Sequence, residues 1–543
     1  MYTPTLAQAR ALVGSARFVP MYREILADLE TPVSAYLKLV LSDANGSGAG
    51  RNSFLLESVE GIEHVGRYSF IGARPREVLD IREGGTAILE TPDGTRKLEY
   101  DDPLALVDSL LGRDSMAKLP GLPRFIGGAV GFLTYEIARC FERLPLPPND
   151  PFGLPLGRLM FVDSLLVFDH SRRTIKALTR LPLACPDEGG GDLEANYREA
   201  SERIEQMIDR LDAPSPIQRL ESIPTHNEGI GLHDRVKSNV TPSEFMTMVR
   251  KAKEYITAGD VIQVVPSQRL SLETTADPFS IYRALRVVNP SPYMFFLDYG
   301  DYHIVGASPE MLTMVENGVV HNRPIAGTRW RGATPEEDDR LAHELLNDEK
   351  ERAEHVMLVD LGRNDVGRVS QAGSVSVDEL MVIEKYSHVM HIVSKVTGKL
   401  RDDLRPVDAL RASFPAGTVS GAPKIRAMEI IAELEKDRRG TYAGSVGLFN
   451  WDGELETAIA LRTALVKDGV VHVQAGGGIV ADSDPAFEYE ETLNKAAALL
   501  RGVLAAERAA RPTRQVQASA ASTDVGEADI RAAQRLAQEV PAT

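Results

Sequence analysis

Residues 293–308, YMFFLDYGDYHIVGAS, hold two apolar runs, YMFFLDYG (293–300) and YHIVGAS (302–308), separated by one residue. Each is short, rich in aromatic and β-branched side chains, and bounded by turn formers, which reads as a strand. The same strand character recurs in VIQVVPSQRL (261–270) and VVHVQAG (470–476), whereas the segments near 335–364, 423–436 and 485–507 read as helices. Strands outnumber the crossovers that a wholly parallel sheet would require. The expected class is therefore α+β, a composite of antiparallel or mixed sheets flanked by helices.

Outward from this centre the chain divides into zones. Residues 1–211 alternate short apolar runs with Gly, Pro and Asp turns; SFLLESV (53–59), RYSFIGA (67–73) and LLVFDH (165–170) read as strands. Helical patterns are sparse there until NYREASERIEQMIDRL (196–211), and an acidic, Gly-rich insert at 184–192 reads as a surface loop. Residues 212–240 have little periodicity and read as a linker. The zone 241–507 opens with Thr241 and Glu244 as a capping box, Pro242 in the first turn and Gly259 as the stop. Residues 508–543 carry no core-forming pattern and read as a mobile tail.

Composition excludes several functions. The chain has 543 residues, 43% hydrophobic and 26% charged, and a net charge of -17. That is globular, and it opposes nucleic-acid binding, which needs a basic face. Two cysteines, Cys140 and Cys185, provide no disulfide framework and no thiolate metal cluster. No signal-peptide core and no membrane-spanning apolar stretch is visible, so a cytoplasmic setting is expected.

Two acidic clusters carry the first chemical signal. In DEKERAEHVMLVDLGRND (348–365), Glu351, Glu354 and His355 sit in or beside an apolar helix segment. Glu354 is either a member of a solvated face or a carboxylate in need of a cation or metal. In ADSDPAFEYEETLNKAAALL (481–500), Asp484 suits an N-cap and Pro485 the first turn, and Glu488, Glu491 and Lys495 share a face. Glu491 pairs with Lys495 at i+4, or joins Glu354 across a cleft as an oxygen-ligand site for Mg²⁺. Between them GGGIVA (476–481) imitates a dinucleotide fingerprint. The acids Asp482, Asp484 and Glu488 would repel a pyrophosphate, and Ala496 stands where a ribose-binding acid should fall. Three glycines still allow close approach of a small carboxylate. GTVSGAPK (417–424) places its lysine wrongly for a phosphate loop. Arg462, inside the apolar run AIALRTALV (458–466), either pairs internally or receives an anion. Tyr442 and His391 are weaker signals. In PIAGTRWR (324–331), Thr328, Arg329 and Arg331 could hold an anion beside the inert Ala326. Together these parts point to a doubly anionic small substrate with a metal.

The motifs LLES (55–58), GDVIQVVPSQR (259–269), NPSPYMFF (289–296), VGASPE (305–310), PIAGTRWRG (324–332), AEHVMLVDLGRND (353–365), GTVSGAPKIRAME (417–429), QAGGGIV (474–480) and EETLNKA (490–496) jointly resemble the chorismate-utilising enzymes, most closely the anthranilate synthase component I family. The resemblance implies that Glu354 and Glu491 hold Mg²⁺. It implies that Gly327, Thr328, Thr418, Tyr442, Arg462, Gly476, Gly477 and Gly478 bind chorismate. His391 would serve the elimination step, Glu310 would assist departure of the ring hydroxyl, and Thr328 and Gln263 would be further catalytic positions. It further implies a tryptophan pocket at Ser58, Pro292, Tyr293 and Met294, with feedback inhibition of the first committed step of tryptophan biosynthesis.

Ala326 and Gln263 then separate the branches of the family. Aminodeoxychorismate synthases resemble this chain but carry a nucleophilic lysine at the position matching 326, and isochorismate and salicylate synthases carry a lysine base at the position matching 263. This chain has neither, so the resemblance implies ammonia as the nucleophile. Neither cysteine lies in a glutaminase motif, so ammonia is expected from a separate glutamine amidotransferase subunit, in a heterotetramer. The alternatives are aminodeoxychorismate synthase component I and a non-catalytic tryptophan-binding relative.

Overall fold

The structure is a computed structural model and describes residues 1–41, 52–58, 66–112, 116–183, 192–214, 235–386 and 389–510. Cys185, nearly all of the 184–192 insert, the 215–234 part of the expected linker and the tail beyond residue 510 lie outside these residues.

Two large sheets form the frame. The first orders its strands as Tyr2–Thr3, Phe18–Leu26, Thr174–Pro182, Ser164–Asp169, Tyr68–Ala73, Ser53–Glu57, Tyr293–Asp298, Tyr302–Ser308, Thr463–Lys467, Val470–Gly476, Ser267–Glu273 and Lys237–Ser238. The second runs from Ile325–Trp330 through Val389–Lys399, Val319–Asn322, Met311–Glu316, Leu455–Ile459, Ser445–Asn450, Gly128–Leu133, Gly157–Val162 and Glu77–Arg82 to Thr86–Thr91 and Gly94–Glu99. The 293–308 stretch is an antiparallel hairpin in which Tyr293 faces Ser308 and Asp298 faces His303. The other named ladders are antiparallel too, so the fold is α+β with antiparallel rather than mixed sheets.

The sheets pack face to face through Phe54, Phe70, Leu165, Phe295 and Leu297 of the first and Val130, Phe132, Met160, Val446 and Leu448 of the second. Helices Pro32–Leu41, Leu193–Leu211, Pro278–Val288 and Pro485–Ala510 cover the outer face of the first sheet. Helices Pro103–Leu111, Glu349–Gly367 and Pro406–Ser413 cover the second. Each sheet takes strands from both sides of residues 212–240, so the two sequence zones share their cores.

Local chemistry explains the element ends. Thr241 and Glu244 cap helix Pro242–Ala258 reciprocally, and Gly259 closes it at φ +85°. Asp484 accepts the Ala486 and Phe487 amides at 3.0 and 2.9 Å at the start of Pro485–Ala510. Two sequence elements divide. VIQVVPSQRL breaks at Pro266, which has no N–H to donate, into Gln263–Val264 and Ser267–Glu273. The 335–364 helix breaks at Asp348, which ends Pro335–Asn347 and caps Glu349–Gly367 through the Lys350 and Glu351 amides. The helices Leu6–Ala11, Pro32–Leu41 and Pro103–Leu111 were not legible in periodicity, because six to ten residues give it too few turns.

Candidate active site

Strand Ile325–Trp330 carries a bulge. Ala326 faces Ile392 and Thr328 faces His391, leaving Gly327 as the extra residue at φ +68°. That backbone region favours glycine. A Cβ on Gly327 would also stand 3.1 Å from Glu351 Oε2. The bulge turns the Gly327 carbonyl onto His391 Nδ1 at 2.8 Å, with Thr328 Oγ1 at 3.1 Å. Nδ1–H donates to the carbonyl, so in the neutral ring this assignment leaves the lone pair on Nε2. Burial holds the imidazole below its usual range, and Arg462 adds to the effect.

Glu310 follows strand Tyr302–Ser308 and is 6% exposed. Burial lifts its carboxyl to about 8, against the Thr418 hydrogen bond and the charge of Arg462. Thr418 Oγ1 donates to it at 2.8 Å. At neutral pH Glu310 is thus mainly protonated, which suits proton donation. Arg462 has φ +47°. Burial depresses its guanidinium and Glu310 opposes that. It makes no side-chain hydrogen bond or ion pair among the described residues, as an anion-receiving arginine would.

The glycine turn closes the other wall. A Cβ on Gly476 would meet Tyr442 Oη at 2.7 Å, one on Gly477 would meet Glu488 Oε2 at 2.9 Å, and one on Gly478 would meet Gln263 Nε2 at 2.5 Å. Burial lifts the Tyr442 phenol to about 12. Gln263 is buried, and its Oε1 has no hydrogen-bond partner among the described residues.

Glu354 and Glu491 come together across helices Glu349–Gly367 and Pro485–Ala510. Burial raises the Glu354 carboxyl, and the Glu351 and Glu491 charges add to it against Lys495 and Lys350. Glu488 is raised as well, by burial and by Glu491. Lys495 lies 3.4 Å from Glu491 and also donates to the Gly476 carbonyl at 3.1 Å, so the i+4 pair exists but its ammonium is shared. Glu354, Glu488 and Glu491 thus share Lys495, with Lys350 acting on Glu354 as well, a donor set short of positive charge. The described residues hold no group of three or more His, Cys, Asp or Glu arranged for a metal. Two facing carboxylates would suit only an ion that takes one or two of them and completes its shell with water and substrate oxygens.

Other sequence candidates serve structure. Arg329 pairs with Asp348 at 2.8 Å and Glu351 at 3.4 Å, and Arg331 pairs with Asp338, so neither waits for a substrate anion. Lys424, of the loose phosphate-loop match, forms a buried pair with Asp365 at 2.9 Å. His355 is fully buried against Ser394. Sequence reasoning passed over Arg439 and Glu435, a wholly buried pair behind Tyr442; nothing in DRRGT distinguishes Arg439 from its half-buried neighbour Arg438.

A second pocket lies between the two sheets, enclosing about 600 Å³ of space partly open to solvent. Ser58, Pro292, Tyr293 and Met294 all line it, facing Val446, Gly447 and Leu448 of the opposite sheet. Ser58 Oγ is buried there without a hydrogen-bond partner among the described residues.

The family model for chorismate binding enzymes matches residues 54–501. The chain belongs to that family. Among curated members it is 50% identical over 502 residues to anthranilate synthase component 1 of Pseudomonas putida, covering 92% of this chain and 97% of the relative. It is 47% identical to the component 1 of Acetivibrio thermocellus, over 93% and 99% of the two chains. The crystal structure of anthranilate synthase component I from Streptococcus pneumoniae superposes with a TM-score of 0.68 at 37% identity, covering 88% of this chain and 98% of that one. The menaquinone-specific isochorismate synthase of Escherichia coli shares the fold, with a TM-score of 0.62 at 18% identity. No helix among the described residues of this family member is long and apolar enough to cross a membrane.

Proposed function

We propose that the protein is an anthranilate synthase large subunit, aminating chorismate at C2 with ammonia and eliminating pyruvate. The observation that carries this reading is the pair of side chains at 326 and 263. Ala326 is a buried methyl and Gln263 a buried amide, so neither position offers a covalent nucleophile or a base. The nucleophile must then arrive as a substrate, and ammonia fits. Arg462 and the Gly476–478 turn would receive the carboxylates, and Tyr442 would flank the turn. Glu310 would protonate the departing ring hydroxyl as ammonia adds at C2. His391 Nε2 would take a ring proton as the enolpyruvyl group leaves, to become pyruvate, and the ring becomes aromatic. Glu354 and Glu491 would hold Mg²⁺, which would neutralise substrate carboxylate charge. A component 2 amidotransferase would supply the ammonia.

Incubation with chorismate, Mg²⁺ and ammonium tests the reading by product: ortho-aminobenzoate with pyruvate supports it. Aminodeoxychorismate, or no turnover at any ammonium concentration, rejects it. His391→Ala should slow pyruvate release by about 10²-fold or more, the usual size of a lost general base. An aminated, non-aromatic intermediate should accumulate, and mass spectrometry showing only unreacted chorismate would contradict this division of steps.

The same reading assigns the inter-sheet pocket to feedback by tryptophan. Met294 and Pro292 offer apolar contact to an indole, and the unpartnered Ser58 hydroxyl awaits a polar group. Strand Ser445–Asn450 lines the pocket three residues beyond Tyr442, and Leu455–Ile459 lines it three residues before Arg462. A ligand that shifts these strands would therefore bias two substrate-binding groups. Coupling of this kind is typically about 1–3 kcal/mol and reciprocal. Ser58→Phe should abolish tryptophan inhibition and leave the uninhibited rate within about twofold, since Ser58 touches none of the reacting groups. Inhibition curves that superpose on the parent's would remove the pocket from the account.

A further inference from the structure

Behind the proposed substrate cleft lies one wholly buried cation, the guanidinium of Arg439, 1% exposed. Its Nε and Nη2 grip Glu435 at 2.9 and 2.6 Å. Nη1 donates to the Val419 carbonyl at 2.8 Å and Nη2 to the Val265 carbonyl at 2.6 Å. Its faces lie against Tyr135 at 4.7 Å and Tyr442 at 5.3 Å. Glu435 in turn accepts from Ser267 N and Oγ, both at 2.8 Å, and Ser267 is the register partner of Gly476.

Each partner stands next to a proposed site residue. Val265 is two residues from Gln263, Val419 follows Thr418, the stacked ring is Tyr442 itself, and Ser267 leads through the ladder to the glycine turn. Backbone bonds also join the segments: Ile262 N to Ala422 O at 2.7 Å, Val264 N to Ile479 O at 3.2 Å, Ile479 N to Val264 O at 2.8 Å, Val265 N to Ser420 O at 3.0 Å and Gly477 N to Pro266 O at 3.2 Å, besides the ladders of Gln263–Val264 with Gly421–Ala422 and of Ser267–Glu273 with Val470–Gly476. A buried ion pair is weak grounds for stability, because desolvation offsets its Coulomb gain; its attested use is to fix one arrangement over others. A planar fork with five donors can direct four hydrogen bonds at three partners in fixed directions, which an ammonium cannot.

We propose that Arg439 is a positioning residue, holding the Gln263, Thr418, Tyr442 and Gly476–478 walls of the cleft in register without touching substrate. The kinetic part of this rests on the chorismate reading above; the mechanical part does not. The test is hydrogen exchange on Arg439→Lys, which keeps the charge and loses the fork. The Val265, Gly477 and Ile479 amides should exchange at least tenfold faster, with strands Glu77–Arg82 and Thr86–Thr91 unchanged. If the lysine variant fails to fold, Arg439→Gln with Glu435→Gln removes both buried charges at similar volume, and the same amides are read there. Unchanged exchange at these amides, or equal loosening throughout, overturns the proposal. With ammonium, kcat/KM for chorismate should fall at least thirtyfold, and Tyr442→Phe in the Arg439→Lys background should add little. Full additivity of the two changes also overturns it. A parent protein that does not turn over chorismate would reject the chorismate reading, while the exchange data still decide the role of Arg439.

Discussion

Glu310→Gln is expected to lower kcat by about 10²–10⁴-fold, the usual worth of a general acid. The amide keeps the shape and can still accept the Thr418 hydroxyl, but it has no proton to give. A loss confined to kcat, with chorismate binding retained, would mark a group that acts in the transition state. The same substitution should have an opposite effect on stability at high pH. The folded carboxyl sits near 8, above its ordinary value of 4.5. A pKa raised on folding contributes stability that is fully present below the unfolded value and is lost as pH rises through the folded one. The parent should therefore weaken, relative to Glu310→Gln, between about pH 4.5 and 8, and the difference should level off above that range. The gap at pH 9 is on the order of a few kcal/mol, readable by thermal unfolding at pH 5 and pH 9. A variant within threefold of the parent rate would end the acid assignment. A stability difference independent of pH would end the view of Glu310 as a buried neutral acid.

The residues legible in the sequence were those whose local rule and tertiary role coincide. The strands at 293–298 and 302–308 declared themselves because short apolar runs rich in aromatic and β-branched residues, bounded by turn formers, need no distant partner to be read, whereas their hairpin pairing came from the fold. Thr241, Glu244, Gly259, Asp484 and Pro485 obeyed local capping chemistry, which needs no distant partner. Arg462 stood out because a cation in an apolar run must answer for its charge. What sequence could not give was assignment among equals. PIAGTRWR offers two arginines as anion holders, but the structure commits both to Asp348, Glu351 and Asp338, acids that lie up to 22 residues downstream. Conversely, Glu491 and Lys495 looked like either a pair or a ligand and its neighbour, and the fold makes the lysine serve several groups at once. Arg439 was illegible because its role comes from three hydrogen-bond partners on separate segments, 4 to 174 residues away, and no periodicity records such distances.

The same contrast between fitted and unfitted charge yields the sharpest expectation for the proposed metal site. Glu354→Gln and Glu491→Gln should each remove measurable Mg²⁺ binding by calorimetry and reduce turnover by about 10²-fold or more, the scale of losing one fixed electrostatic stabiliser. Neither should destabilise the metal-free protein. Glu354 is held above the usual carboxylate range by burial and by Glu351 and Glu491, so its charge opposes folding as pH rises. Glu491 is one of the charges that raises both Glu354 and Glu488. Neutralising either one relieves that repulsion, and Tm at pH 8 without Mg²⁺ should rise by about 1–3 °C. Asp338 is the control. Arg331 holds its carboxyl well below the usual range, down to about 2, and the Gly332 amide assists. Asp338→Asn should lower Tm and leave Mg²⁺ affinity unchanged. A structural carboxylate loses stability when its charge is removed, whereas a ligand carboxylate gains it and loses the ion. If Glu354→Gln and Glu491→Gln instead melt lower than the parent and bind Mg²⁺ as before, the two glutamates are ordinary helix-face charges and the metal belongs elsewhere.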